Sequence, residues 1–135
     1  MNKLFVILAI FVTACSQPKI IRSTQSILSD TEIHFRFGSA KIGIQGNGLL
    51  QDALLFLNRY PQNAVLIEGH TDSVGSEKSN LDLGDRRARA VKAWFIINGI
   101  EDNRFTTVTY GESRPKMTAS KDAKNRRVVL KDLSK

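Results

Sequence analysis

The sequence predicts an α+β fold: a βαβαββ two-layer sandwich, with two helices packed on one face of a mixed four-stranded sheet. Three observations predict it. Short runs rich in Val, Ile, Thr and Phe, at 31–37, 64–68, 105–110 and 126–131, have strand character. Two longer segments, at 49–57 and 82–98, carry apolar residues at helical spacing. The two kinds alternate in the order strand, helix, strand, helix, strand, strand, with Gly or Pro at most of the changes. No internal repeat is evident, and the pattern leaves the strand order open.

In the first strand, Ile33, Phe35 and Phe37 alternate with polar residues, as one buried face requires. Gly43, Gly46 and Gly48 then mark a loop, Asn47 supplies a side-chain cap, and Leu49, Leu50, Ala53, Leu54 and Leu57 form the stripe of the first helix. Tyr60-Pro61 stops it, because the residue before a proline is pushed out of the helical region. Val65, Leu66 and Ile67 give the second strand, which leads into the turn bearing Asp72. The second helix is expected from about Asp82 and ends at Asn98-Gly99, a C-cap signal. Two further strands follow, joined by a polar loop at 111–124 that contains Pro115.

The second helix carries the feature on which function turns. Gly84, Arg87, Ala88, Val91, Trp94 and Phe95 recur at spacings of three and four, so they share one face, whereas Arg86 and Arg89 turn away. A guanidinium in an apolar stripe is expensive to bury unless it meets a carboxylate or another strong acceptor. Asp72 is the natural partner and Glu68 a weaker one. The residues alone leave a second reading open, in which Arg87 snorkels from the rim and Asp72 only stabilises its own turn.

Other chemistries fit less well. His70, Asp72 and His34 do not make a full zinc set, and Asp72-Ser73-Val74-Gly75 lacks the further oxygen ligands of a calcium loop. Ser73 and Ser76 lie beside His70 only in sequence, with no nucleophile-elbow pattern, so no reaction is expected. No cofactor is implied. Trp94, Phe95 and Ile96 read as core.

The run Gly69-His70-Thr71-Asp72, followed by Gly75, Asn80, Leu83, Arg87-Ala88 and Val91, resembles the peptidoglycan-binding domain of OmpA-type outer-membrane proteins and peptidoglycan-associated lipoproteins. His34-Phe35-Arg36-Phe37-Gly38-Ser39 resembles that family's first strand, Tyr110-Gly111-Glu112-Ser113-Arg114-Pro115 its third strand and loop, and Asn125-Arg126-Arg127-Val128 its last strand. The resemblance implies the same fold and a pocket for the diaminopimelate of the cell-wall stem peptide. Asp72 would face its ammonium and Arg87 its carboxylate, with Asn80 and Arg126 lining the pocket. Two positions depart from the pattern: Arg36 stands where many members have Asp, which alters the rim, and Gly84 replaces a frequent Ser, which would weaken the helix start.

The chain begins as an exported lipoprotein would. Asn2 and Lys3 precede an apolar run at 4–12, and Val12-Thr13-Ala14-Cys15 resembles a lipoprotein box. The expected organisation is a signal peptide at 1–14, a lipidated Cys15 with a tether at 15–29, and the binding domain at 30–135. Ser16 after the Cys fits sorting to the outer membrane, with the domain facing the periplasm. A net charge of +7 favours acidic partners. Export and the lack of an aromatic stacking platform argue against nucleic acid, leaving diaminopimelate-type peptidoglycan and anionic membrane surfaces. The reading is therefore a noncovalent tether between membrane and wall. Its competitor is a component of an envelope machine, of Tol, secretion or motor type, in which wall binding only positions a protein assembly.

Overall fold

A computed structural model describes Leu28, residues 31–117 and residues 123–134. The signal peptide, Cys15 and nearly all of the tether lie outside the described residues. The elements are β1 (Thr31–His34), α1 (Ile44–Arg59), β2 (Val65–His70), α2 (Glu77–Ile97), β3 (Phe105–Gly111) and β4 (Arg127–Asp132), with short 3-10 turns at Asp102–Arg104 and Ala123–Asn125. This is the expected α+β arrangement, two helices on one mixed four-stranded sheet.

The sheet runs β1-β4-β2-β3. β4 is antiparallel to both β1 and β2, and β2 is parallel to β3. It follows that β1, β2 and β3 point the same way, so the chain leaves all three, and enters β4, at one edge of the sheet. Arg36, Asp72, Glu112 and Arg126 therefore gather there from four separate connections.

The core lies between sheet and helices. Ile33, Val65, Ile67, Phe105, Val128 and Leu130 from the strands meet Leu50, Ala53 and Leu57 of α1 and Ala88, Val91 and Phe95 of α2. Each Val, Leu, Ile or Phe side chain so removed from water contributes about 1.5 to 3 kcal/mol before conformational entropy is set against it. Leu28, expected in the tether, is fully buried in this core. The helix approaches the sheet most closely where Gly84 faces Gly69: a Cβ on Gly69 would collide with the Gly84 carbonyl, and one on Gly84 with Thr109 Oγ1. Gly84 is thus a packing requirement, not the weak helix start expected of it.

Several boundaries shift for physical reasons. β1 ends at His34, and Phe37 sits exposed in a turn: the Phe35 amide still donates to Arg126 O, but the Phe35 carbonyl accepts from Arg126 Nε and the Arg36 carbonyl from Arg87 Nη2. α1 begins at Ile44 with no side-chain cap, and the Asn47 Oδ1 instead accepts from Trp94 Nε1 at 2.8 Å. Leu49 and Ile96, expected in the apolar faces, are partly exposed. α2 starts five residues earlier than expected because Ser76 caps it, its hydroxyl accepting from Ser79 N at 3.2 Å. It ends as the sequence indicates, with the amides of Gly99 and Ile100 donating to Ile96 and Phe95 carbonyls.

The far face of the sheet is not open. The described part of the β3–β4 loop folds over it: Arg114 stacks 3.6 Å from the centre of the Tyr110 ring, Lys116 Nζ donates to Glu32 at 2.7 and 2.8 Å, and Asn125 Oδ1 accepts from the Lys116 and Met117 amides. Glu68, His70 and Arg127 are buried beneath.

Candidate ligand pocket at the strand ends

Arg87 lies on the buried side of α2, fully covered, while Arg86 and Arg89 are exposed as the helical spacing predicts. Its guanidinium is held by three main-chain carbonyls. Nε donates to Ser39 O at 2.8 Å, Nη1 to His70 O at 2.9 Å and Nη2 to Arg36 O at 3.1 Å. The Phe35 ring packs 5.2 Å from Cζ. Burial pushes the Arg87 pKa down to about 10, opposed by the charge of Asp72, so it remains a cation at neutral pH.

The direct Asp72–Arg87 pair expected from the sequence does not form. Asp72 Oδ2 instead meets Arg126 Nη1 at 3.2 Å, and Oδ1 accepts from Val74 N at 3.2 Å. Glu68, the weaker candidate for Arg87, points to the opposite face, 3.3 Å from Lys131 Nζ. The reason is geometric. A five-donor fork suits several acceptors at once, and the ends of β1 and β2 with the Ser39 turn present three carbonyls to it. Asp72 acts on Arg87 through space, and the two residues share Arg126 as a charged neighbour.

Arg126 is brought into the constellation from the start of β4. Its Nε donates to Phe35 O at 3.2 Å, and its own carbonyl accepts from Phe35 N at 2.9 Å, which fixes it across from β1. Asn80, also expected here, is buried one turn into α2, but its amide turns to Glu112 Oε2 at 2.5 Å. It works as a strut between the Gly75 turn and the start of the β3–β4 loop. The structure therefore gathers Asp72, Arg87 and Arg126, and leaves Asn80 at the side.

Sequence reasoning missed the backbone of Arg36 and Ser39, since any residue type carries a carbonyl, and it missed Glu112. The charge on Asn80 is nil, so its carboxylate partner had no signal. His70 is no metal ligand in the sequence reading. Its carbonyl does serve Arg87, while its ring lies on the far face with both nitrogens unpartnered. Among the described residues no group of three or more His, Cys, Asp or Glu could hold a metal ion.

What the arrangement can do is hold a ligand bearing both signs of charge. An anion would meet Arg87 and Arg126, a cation Asp72, and the three lie within one network at the sheet edge. Residues 34–128 match the OmpA family model. The chain is 32% identical over 122 residues to the peptidoglycan-associated lipoprotein of Buchnera aphidicola, covering 88% of this chain and 70% of that protein. It is 39% identical over 99 residues to the peptidoglycan-associated lipoprotein of Pasteurella multocida, covering 70% of this chain and 66% of that one. The crystal structure of the peptidoglycan-associated lipoprotein from Burkholderia pseudomallei superposes with a TM-score of 0.73 at 33% identity, covering 82% of this chain and 97% of that one. The C-terminal domain of Helicobacter pylori MotB shares the fold, with a TM-score of 0.69 at 21% identity, over 78% of this chain and 85% of that one.

Proposed function

The chain belongs to the OmpA family, and on that footing we propose that it is an outer-membrane lipoprotein that binds peptidoglycan noncovalently through diaminopimelate, tethering membrane to wall without catalysing a reaction. The observation that carries the proposal is the network of Asp72, Arg126 and the buried Arg87 at one end of the strands, at the positions where the sequence resembles the family's pocket. The names of its relatives support peptidoglycan as the ligand class. Lipid attachment at Cys15 would supply the other anchor, with the domain in the periplasm.

Binding has a specific physical course in this reading. Asp72 and Arg87 are both shielded from solvent, and Arg126 holds the carboxylate. The ligand's ammonium takes over Asp72 from Arg126, and its carboxylate joins the guanidinium of Arg87, whose Nη1 and Nη2 each donate one hydrogen bond to a carbonyl and keep one N–H in reserve. Arg87 arrives oriented, so little side-chain entropy is lost when the ligand binds.

Cosedimentation of the chain with purified wall sacculi tests this. Asp72→Asn keeps the shape of the turn and removes the charge, and should weaken retention roughly 10- to 100-fold, the loss of one charge-assisted contact of about 1.5 to 3 kcal/mol. Arg86→Ala, on the exposed side of α2, should change it little. Retention of Asp72→Asn at the unmodified level would defeat the pocket. The competing machine reading would show as a stoichiometric protein complex recovered from solubilised envelopes.

A further inference from the structure

Two of the three carbonyls that hold Arg87 are the two ends of one turn, Arg36 and Ser39; the third is His70 O, at the end of β2. Ser39 N donates to Arg36 O at 3.2 Å and closes the turn. The same Arg36 oxygen accepts from Arg87 Nη2 at 3.1 Å, so one atom both closes the turn and grips the guanidinium. Ser39 O takes Arg87 Nε at 2.8 Å, and Ser39 Oγ accepts from Lys41 N at 3.0 Å, which ties the turn to the chain beyond it. The directions of both carbonyls depend on the two residues between them, Phe37 and Gly38. Phe37 is exposed. Gly38 has a φ of +62°, in the left-handed region that a side chain enters only at a cost and that favours glycine at the third position of a turn. A Cβ built on Gly38 would meet no heavy atom within 4 Å. Its backbone conformation, and not a crowded neighbour, is therefore what calls for glycine here.

We propose that Gly38 is a positioning residue for the ligand: its left-handed conformation aims the Arg36 and Ser39 carbonyls, and these orient the Arg87 guanidinium towards the ligand carboxylate. The inference rests on the diaminopimelate reading above and deepens it, because it assigns the carboxylate half of recognition to a backbone turn. Alanine strains that turn, and the strain is relieved when the turn opens and its two carbonyls swing off Arg87. Asparagine also carries a Cβ but tolerates the left-handed region, so it keeps the turn. Asp72, which takes the ammonium, is held by Val74 N and Arg126 Nη1 and not by the turn.

The test is calorimetry on the detergent-solubilised chain with two synthetic stem peptides, one bearing diaminopimelate and the other lysine at the same position. Gly38→Ala places its methyl in open space and should fold. It should bind the diaminopimelate peptide about three- to tenfold more weakly and leave the affinity for the lysine peptide unchanged, so the preference between them shrinks. Gly38→Asn should restore the preference to within about twofold of the unmodified chain. An undiminished preference in Gly38→Ala, or an equal loss for both peptides, overturns the inference, as does a Gly38→Asn no better than Gly38→Ala. A Gly38→Ala chain that cannot fold overturns it too, by making the turn a requirement of the fold. If neither peptide binds the unmodified chain, the diaminopimelate reading falls, and the role of Gly38 is read from the Arg87 Nε–H resonance by NMR. That resonance should shift in Gly38→Ala and return in Gly38→Asn; an unchanged resonance in Gly38→Ala overturns the positioning of Arg87 itself.

Discussion

On the helix side of β2, Arg87 is buried completely and keeps its charge because three carbonyls meet its N–H groups. On the other side of the same strand, His70 is almost as deeply buried, yet neither ring nitrogen has a hydrogen-bond partner, and Glu68 Oε2 lies 3.7 Å away, too far for one. Desolvation, followed by the nearby charge of Arg127, pushes the His70 pKa down to about 4. The proton is shed. Two buried bases on adjoining surfaces thus reach stability by opposite routes, one by satisfying its donors and the other by neutralisation. In the proposed function, the group that would attract an anion is the one held by three carbonyls.

The largest way to break this contrast is to remove the satisfied group. Arg87→Ala should leave three carbonyls, that of His70 buried, without their donor and open a cavity, at a cost of about 3 to 5 kcal/mol, or roughly 12 °C or more in melting temperature. Arg86→Ala should stay within about 0.5 kcal/mol. Equal melting temperatures for the two variants would mean that the carbonyl cradle contributes nothing. The expected loss of stability makes Asp72→Asn a cleaner probe of binding than any Arg87 truncation.

Next in size is the close approach that sets Arg87 at the right depth. Gly69→Ala drives a methyl into the backbone carbonyl of Gly84, which cannot yield without moving α2, and should cost about 3 kcal/mol or more. Gly84→Ala meets the Thr109 hydroxyl, a side chain that can rotate if it gives up its bond to Leu81 O, and should cost about 1 to 2 kcal/mol. Denaturant unfolding ranks them. A reversed order would show that the helix yields more readily than the threonine.

The smallest effect sharpens the other side. The unfolded chain binds a proton at His70 near pH 6.5, and the folded chain resists it until about pH 4. His70 therefore leaves stability intact above pH 6.5, erodes it as pH falls through that window, and adds no further loss below about 4. The groups facing it are Glu68, Tyr110, Arg114 and Arg127, of which Glu68, itself 3.3 Å from Lys131 Nζ, opposes the shift. Across that window His70→Gln should lose less melting temperature than the unmodified chain. Parallel curves for the two proteins would place the acid sensitivity elsewhere.

Element order and the buried position of Arg87 were legible in the sequence because both follow from local periodicity. Ser76 was also legible in principle, as a serine before an acidic first turn, and was passed over in favour of a later start. The partners of Arg87 were not, because Arg36 and Ser39 lie 51 and 48 residues away and contribute only main-chain oxygen. The Asp72–Arg126 pair spans 54 residues and depends on β4 lying between β1 and β2, an order that no run of residues discloses. The covering of the far face by the described part of the β3–β4 loop was invisible for a similar reason, since Arg114 on Tyr110 and Lys116 on Glu32 are contacts between polar residues that read as solvated.

The central claim is that the charged network at the strand ends recognises an amino-acid centre carrying both charges. Titration calorimetry of the detergent-solubilised chain with two stem peptides, one bearing diaminopimelate and the other lysine at the same position, tests it most directly. Lysine supplies the ammonium for Asp72 but no carboxylate for Arg87, so the diaminopimelate peptide should bind roughly 10- to 100-fold more tightly. Equal affinity for the two peptides would contradict it.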